Sequence, residues 1–225
     1  MGRAILNAQQ PPIKNIIFIG ETGVGKSSLI NLIAGRDVAR VSNDSGPCTT
    51  TFSSYDVDVW DHAFRLWDTP GLNEGSFVGS LLSLFSGKTE KELKNFLRKR
   101  YEAREIDLVV FCVHGGRNTK AMEKTYKNFC VPTRCVAAPV VLAVTTLERF
   151  QPAMDTWWVR NEKRFREMGM EFDGHACVTC ISHSRRLASR REICNLIVQE
   201  AYRSSWRAEE NSKYLPGGRT GCIIA

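Results

Sequence analysis

No run of apolar residues in the 225-residue chain approaches the ~20 that a helix needs to cross a bilayer, and the opening "MGRAILNAQQ" has no signal-peptide core. These absences lead to the expectation of a protein that starts in the cytosol. Gly2 does not make a myristoylation site, because that signal wants Ser or Thr at the sixth residue and Leu6 stands there. There are no internal repeats. The length leaves no comfortable room for a second full domain, nor for an RNA-binding domain, so no nucleic-acid partner is expected. The charge of +7 is a modest excess, interspersed with acids, and reads mostly as solvated surface. Eight cysteines without a secretion signal are expected to be free thiols. Cys130, Cys135, Cys177 and Cys180 can be imagined as four zinc ligands. Cys177-Val-Thr-Cys180 reads as part of a buried strand, however, where residues three apart face opposite sides, and packing thiols are the preferred reading.

What the chain does have is an alternation of apolar runs and helical patterns from Ile13 to about Trp206, as expected of a parallel sheet with helices on both faces. Strands are placed at "IKNIIFI", "SYDVDVW", "AFRLWD", "IDLVVFCV", "PVVLAVT" and "HACVTCI". Helices are placed at "GKSSLINLIAG", "TEKELKNFLRKRYEA", "KAMEKTYKNF", "MDTWWVRNEKRFREMG" and "SRREICNLIVQEAYRSSW". Only "DH" separates the second strand from the third, too short for a helical crossover, so that pair is read as an antiparallel hairpin. The fold class is therefore α/β, with six strands, one of them antiparallel. Residues 1–12 and 207–225 are expected to be flexible, the latter because Pro216, Gly217, Gly218 and Gly221 cannot sustain a helix.

Two motifs carry chemistry. "GETGVGKSS", directly after the first strand, has the spacing of a loop that wraps nucleotide phosphates. In it the backbone N–H groups of Gly23, Val24 and Gly25 turn inward after Gly20, Lys26 reaches the β and γ phosphates, Ser27 binds Mg²⁺, and Ser28 sits near the α phosphate. A glycine turn with an exposed lysine is the plain alternative, and the strand–loop–helix context argues against it. The second motif, "RLWDTPGL", ends an apolar strand in Asp68, which can hold Mg²⁺ through water, while Gly71 lets its N–H approach the γ phosphate.

With both motifs present, the chain resembles the translation-factor-like superclass of P-loop GTPases over about Ile13 to Trp206. More closely, "CTTTFSSYDV", "DTPGLNE", "VTTLE", "DTWWVRN" and "GHAC" are similar to a group of fungal G-domain proteins, related in style to septins, GIMAP immune GTPases and chloroplast outer-envelope import GTPases. The resemblance implies a Ras-like P-loop fold, with a G domain over residues 13–206 that binds GTP and GDP with Mg²⁺ and hydrolyses GTP slowly. It also implies a threonine that completes the Mg²⁺ shell. Thr49 is favoured for this role with Thr50 as alternate, and Lys26 and Thr49 form the catalytic set. For base recognition the relatives have Asn or Thr, Lys, any residue, Asp; here Thr145, Thr146 and Glu148 of "TTLE" stand in. A carboxylate can accept both N1–H and the N2 amine of guanine, which adenine cannot match. A cap on the following loop is the alternative for Glu148. The backbone contact to the guanine oxygen falls in "CVTCISHS", at no fixed residue.

Leu72 follows Gly71 where Ras-like members have the glutamine that orients water. Relatives with such a replacement generally need a partner or a homodimer through the G domain to hydrolyse quickly. A P-loop ATPase or small-molecule kinase, and an interaction protein that binds GTP with negligible turnover, remain the rival readings. Trp157 and Trp158 are expected to pack against the sheet. Arg185, Arg186, Arg190 and Arg191 form a dense positive patch at a helix start, with lipid or a partner as the alternative to plain solvation. Finally, Cys222-Ile-Ile-Ala225 fits a farnesylation pattern, which leads to the expectation of a protein divided between cytosol and membrane.

Overall fold

The computed structural model describes residues 12–41, 51–72, 79–116, 120–134, 138–151, 153–181 and 183–214. Six strands form one sheet: β1 (Lys14–Gly20), β2 (Ser53–Val59), β3 (His62–Asp68), β4 (Leu108–His114), β5 (Val140–Thr145) and β6 (Gly174–Cys177), in the order β2-β3-β1-β4-β5-β6. Every pairing is parallel except β2 with β3, the hairpin whose two-residue connection holds Trp60 at φ 47° and Asp61 at φ 65°. Positive φ at both positions is what a tight hairpin turn of matching twist demands. The expected antiparallel hairpin forms, with Trp60 and Asp61 rather than Asp61 and His62 between its strands.

Both faces of the sheet are covered, so the central strands are apolar throughout rather than alternating. Ile16 and Phe18 of β1 pack on one side with Leu29 and Ile30 of α1 (Lys26–Ala34) and with Ile193 and Ile197 further along the chain. Ile17 and Ile19 pack on the other side with Leu93, Leu97, Phe129 and Phe165. These layers fix one geometric fact that matters for function. The parallel strands end together, at Gly20, Asp68, His114, Thr145 and Cys177, and in open α/β sheets ligands bind beyond such ends.

The helices differ from expectation mostly at their ends. α2 runs Gly79–Glu102, ten residues earlier than the pattern beginning at Thr89. Gly87 lies inside it, and the cost of one interior glycine, about 1 kcal/mol, does not break a helix this long. The pattern read as one helix from Lys120 instead gives α3 (Lys120–Thr125), a π-helical turn (Tyr126–Cys130) and α4 (Val131–Arg134). Val131 N–H bonds back to Tyr126 O, five residues away. Pro132, with no N–H to give, stands next in the chain, where a regular ladder would need one. α5 spans Thr156–Glu167, and α6 spans His183–Tyr214. The last helix thus passes Trp206, and residues 207–214, expected in the flexible tail, are helical. No helix among the described residues is long and apolar enough to cross a membrane.

Candidate functional site

The loop between β1 and α1 is shaped by three glycines with different tasks. A side chain on Gly20 would stand 2.5 Å from the Cys112 carbonyl, so β1 and β4 can pair closely only with glycine there. Gly23 and Gly25 sit at φ 74° and 90°, the left-handed region that turns successive N–H groups inward. Lys26, 6% exposed, closes the loop from inside: its Nζ donates to Gly20 O and Glu21 O, both at 3.1 Å. Gly25 immediately precedes α1, so the helix presents its positive end to the same hollow.

Asp68, 2% exposed at the end of β3, accepts a 2.6 Å hydrogen bond on Oδ2 from the Ser27 hydroxyl. Two hard oxygen donors held together beside the phosphate loop suit Mg²⁺, which takes oxygen ligands and retains waters. Thr69 keeps the strand end in place, its hydroxyl donating to Phe18 O at 2.6 Å. Beyond it the chain is pressed onto the phosphate loop. Thr22 N–H donates to Leu72 O at 3.0 Å, Leu72 N–H donates to Gly20 O at 3.3 Å, and a methyl on Gly71 would fall 2.2 Å from Thr22 Oγ1. Leu72, which stands where Ras-like members have glutamine, is 4% exposed and packs in the core with Ile17, Ile19, Leu93 and Leu97. The backbone bridge to the loop turns its side chain inward. Thr49 and Thr50 lie outside the described residues, as does Cys222.

At the other end of the hollow the "TTLE" residues separate into three roles. Thr145, expected among the base-binding residues, is buried beneath the phosphate loop, with its hydroxyl 2.5 Å from Val24 O and 3.1 Å from Val113 O. Thr146 is exposed and held at φ 62°, an uncommon conformation for a β-branched residue and one that clusters at functional sites. Glu148 accepts a 3.0 Å hydrogen bond from the hydroxyl of Thr179, which is fully buried. Thr179 lies within the "CVTCISHS" stretch, and its N–H donates in turn to Ser189 Oγ at 3.1 Å. Cys177 closes β6 and Cys180 lies past it in the loop, so the two are not on opposite faces of one strand as expected. Burial pushes the Cys180 thiol, packed against the core, up to about 12, with Glu148 adding to the effect, so it stays neutral. Among the described residues no three His, Cys, Asp or Glu side chains gather to hold a metal.

Trp157 ties the neighbouring loop to α5. Its indole N–H donates to Gly115 O at 2.7 Å, and Gly115 N–H donates to Thr145 O at 2.9 Å. Trp158 stacks on His175 at 4.6 Å, and both tryptophans pack on Phe165.

The sequence from residue 15 to residue 146 matches the family described as 50S ribosome-binding GTPase. GTPase Der of Campylobacter hominis is 31% identical over 103 residues, covering 46% of this chain and 19% of its own length. A probable GTP-binding protein EngB of Myxococcus xanthus is 33% identical over 100 residues, covering 42% of this chain and 46% of its own. The chain therefore spans less than half the length of these relatives. Among solved structures, Era Y63A of Aquifex aeolicus bound to GDP and AlF4⁻ superposes with a TM-score of 0.58 at 18% identity, covering 93% of this chain and 59% of Era. Toc33 of Arabidopsis thaliana in complex with Mg²⁺ and GMPPNP gives 0.53 at 16% identity, covering 85% and 84%. At such identities the likeness is one of fold. These relatives are bacterial and plant proteins, and they lend no support to the fungal, septin- and GIMAP-like branch. With the match covering more than half of the residues, the chain belongs to the 50S ribosome-binding GTPase family of P-loop proteins.

Proposed function

We propose that the protein binds GTP and GDP with Mg²⁺, hydrolyses GTP slowly, and acts as a nucleotide-dependent switch or scaffold. The observation that carries this reading is the part-buried Ser27–Asp68 hydrogen bond beside a phosphate loop already closed by Lys26. Ser27 and Asp68 would hold the Mg²⁺ ion, which when bound offsets the charge of the β and γ phosphates. Lys26 binds and orients the same phosphates through its fixed ammonium. The Thr179–Glu148 pair fixes a carboxylate at the far end of the hollow, in keeping with guanine as the base.

Slow turnover follows from the burial of Leu72, which leaves position 72 with no side chain able to orient water. The same observation favours the second reading, a protein that binds GTP and signals by its bound state with negligible hydrolysis. Dimerisation is important for the GTPase activity of the chloroplast proteins Toc33 and Toc159, and a homodimer through the G domain is proposed here on that likeness. A share of the protein at the membrane is proposed on Cys222-Ile-Ile-Ala225 alone, and mass spectrometry of the C-terminus tests it. For the function itself, nucleotide extracted from the purified protein is identified by chromatography, and single-turnover hydrolysis is followed across protein concentrations. Guanine nucleotide and a rate that rises with concentration are expected; adenine nucleotide would overturn the reading.

A further inference from the structure

The first two turns of α6 are fastened to three other segments. Arg185 Nη1 donates to Phe150 O at 3.2 Å, in the loop that leads away from Glu148. Ser189, fully buried, accepts the Thr179 N–H on its Oγ at 3.1 Å. Arg190 Nε donates to Leu32 O at 3.1 Å and Ile33 O at 3.3 Å, near the C-terminal end of α1, where a cation suits the helix dipole. The contact at Ser189 differs from its neighbours in what lies beyond it. Thr179 passes its own hydroxyl to Glu148 Oε1 at 3.0 Å, so Ser189, Thr179 and Glu148 form one chain of hydrogen bonds from α6 to the carboxylate at the base end of the hollow.

Such a chain has a task to perform there. Glu148 carries one methylene more than an aspartate would, and with it one more torsion through which the carboxylate can wander. Accepting both the N1–H and the N2 amine of guanine needs the two oxygens held in one direction. The Thr179 hydroxyl pins Oε1, and it can aim only where its own backbone lets it. That backbone has left the sheet: Val178 N–H still reaches Val144 O at 2.8 Å, whereas the next N–H, that of Thr179, is held by Ser189. We propose that Ser189 is a positioning residue for guanine selectivity, setting through Thr179 the direction of the Glu148 carboxylate. The proposal rests on the reading of Glu148 as the group that meets the base.

The test uses the full chain with Mg²⁺ and measures affinities for GTP, ITP and ATP, with the thermal midpoint of each variant. ITP has the N1–H of guanine and lacks its N2 amine, and ATP lacks both. Ser189→Ala leaves the buried Thr179 N–H without its acceptor, and the preference for GTP over ITP and over ATP is expected to fall about threefold to tenfold, the worth of one ordinary hydrogen bond. Ser189→Cys, close in shape but a poorer acceptor, is expected between alanine and wild type, and it decides the matter if the alanine variant does not fold. Arg190→Met loosens α6 from α1 at the neighbouring position; it is expected to melt lower with both preferences kept. Variants at Ser189 as selective as the wild type would overturn the proposal. So would an Arg190→Met protein that loses selectivity to the same extent, since loosening of the helix and not the Ser189 hydroxyl would then be the cause. A wild type that binds GTP no better than ITP and ATP defeats the reading of Glu148 itself, a different result from any of these.

Discussion

Leu72→Gln restores the residue type that Ras-like relatives use to hold water, yet the structure argues that it costs stability and gains no rate. Leu72 is 4% exposed, and its backbone is fixed on both sides by the hydrogen bonds to Thr22 and Gly20, so the side chain cannot swing outward without breaking them. Burying a leucine contributes about 1.5–3 kcal/mol relative to leaving it exposed. Placing an amide there without partners costs a further 1–3 kcal/mol or so. The two together come to about 2.5–6 kcal/mol, which lowers the midpoint of a chain of this size by roughly 5–24 °C. Leu72→Met, similar in volume, is expected to cost less than about 1.5 kcal/mol and serves as the control. Thermal or urea unfolding measures the stability, and single-turnover hydrolysis measures the rate. A glutamine variant that unfolds with the wild type and hydrolyses GTP faster would refute the reasoning, because position 72 would then face the nucleotide.

Lys26→Ala removes the ammonium that closes the loop, and loss of GTP retention is expected by equilibrium binding without global unfolding by circular dichroism. Thr179→Ala and Glu148→Ala are each expected to weaken GTP more than ATP in competition binding, the alanine at 148 by the larger factor because it removes the carboxylate itself. Glu192 has its carboxyl pushed up to about 7 by burial, opposed in part by the Cys177 N–H that donates to it. A raised acid pKa means that the unfolded chain ionises first as pH climbs from about 4.5 to about 7, so this group lowers stability progressively over that window. Glu192→Gln is accordingly expected to melt above the wild type at pH 8, with the difference gone near pH 4.5; a constant difference across the range would contradict the assignment.

The sheet was legible in the sequence because its signals are local. Near-continuous apolar runs mark strands covered on both faces, and two residues between "SYDVDVW" and "AFRLWD" admit only a hairpin. Gly20 to Ser27 and Asp68 were legible for a related reason: their chemistry needs particular residues at fixed spacing. The harder parts depend on contacts between distant segments. That Thr179 partners Glu148, 31 residues away, is decided by where β5 and β6 end side by side. That Leu72 belongs to the core is decided by the bridge of its backbone to Thr22. The interruption after Thr125 depends on Pro132, seven residues on, and Val78 directly before Gly79 gives no capping signal for the early start of α2.

One atom, Thr145 Oγ1, touches carbonyls of the phosphate loop and of β4 while its own backbone leads into the base loop. On the proposed function, the phosphate end and the base end of the nucleotide site are thereby bolted to a common plate. A nucleotide that fits one end poorly cannot be accommodated by letting that end drift, since the drift would drag the other end off its ligand. Release should accordingly happen as a single event rather than end by end, and a fragment such as pyrophosphate should already stiffen the loop that reads the base.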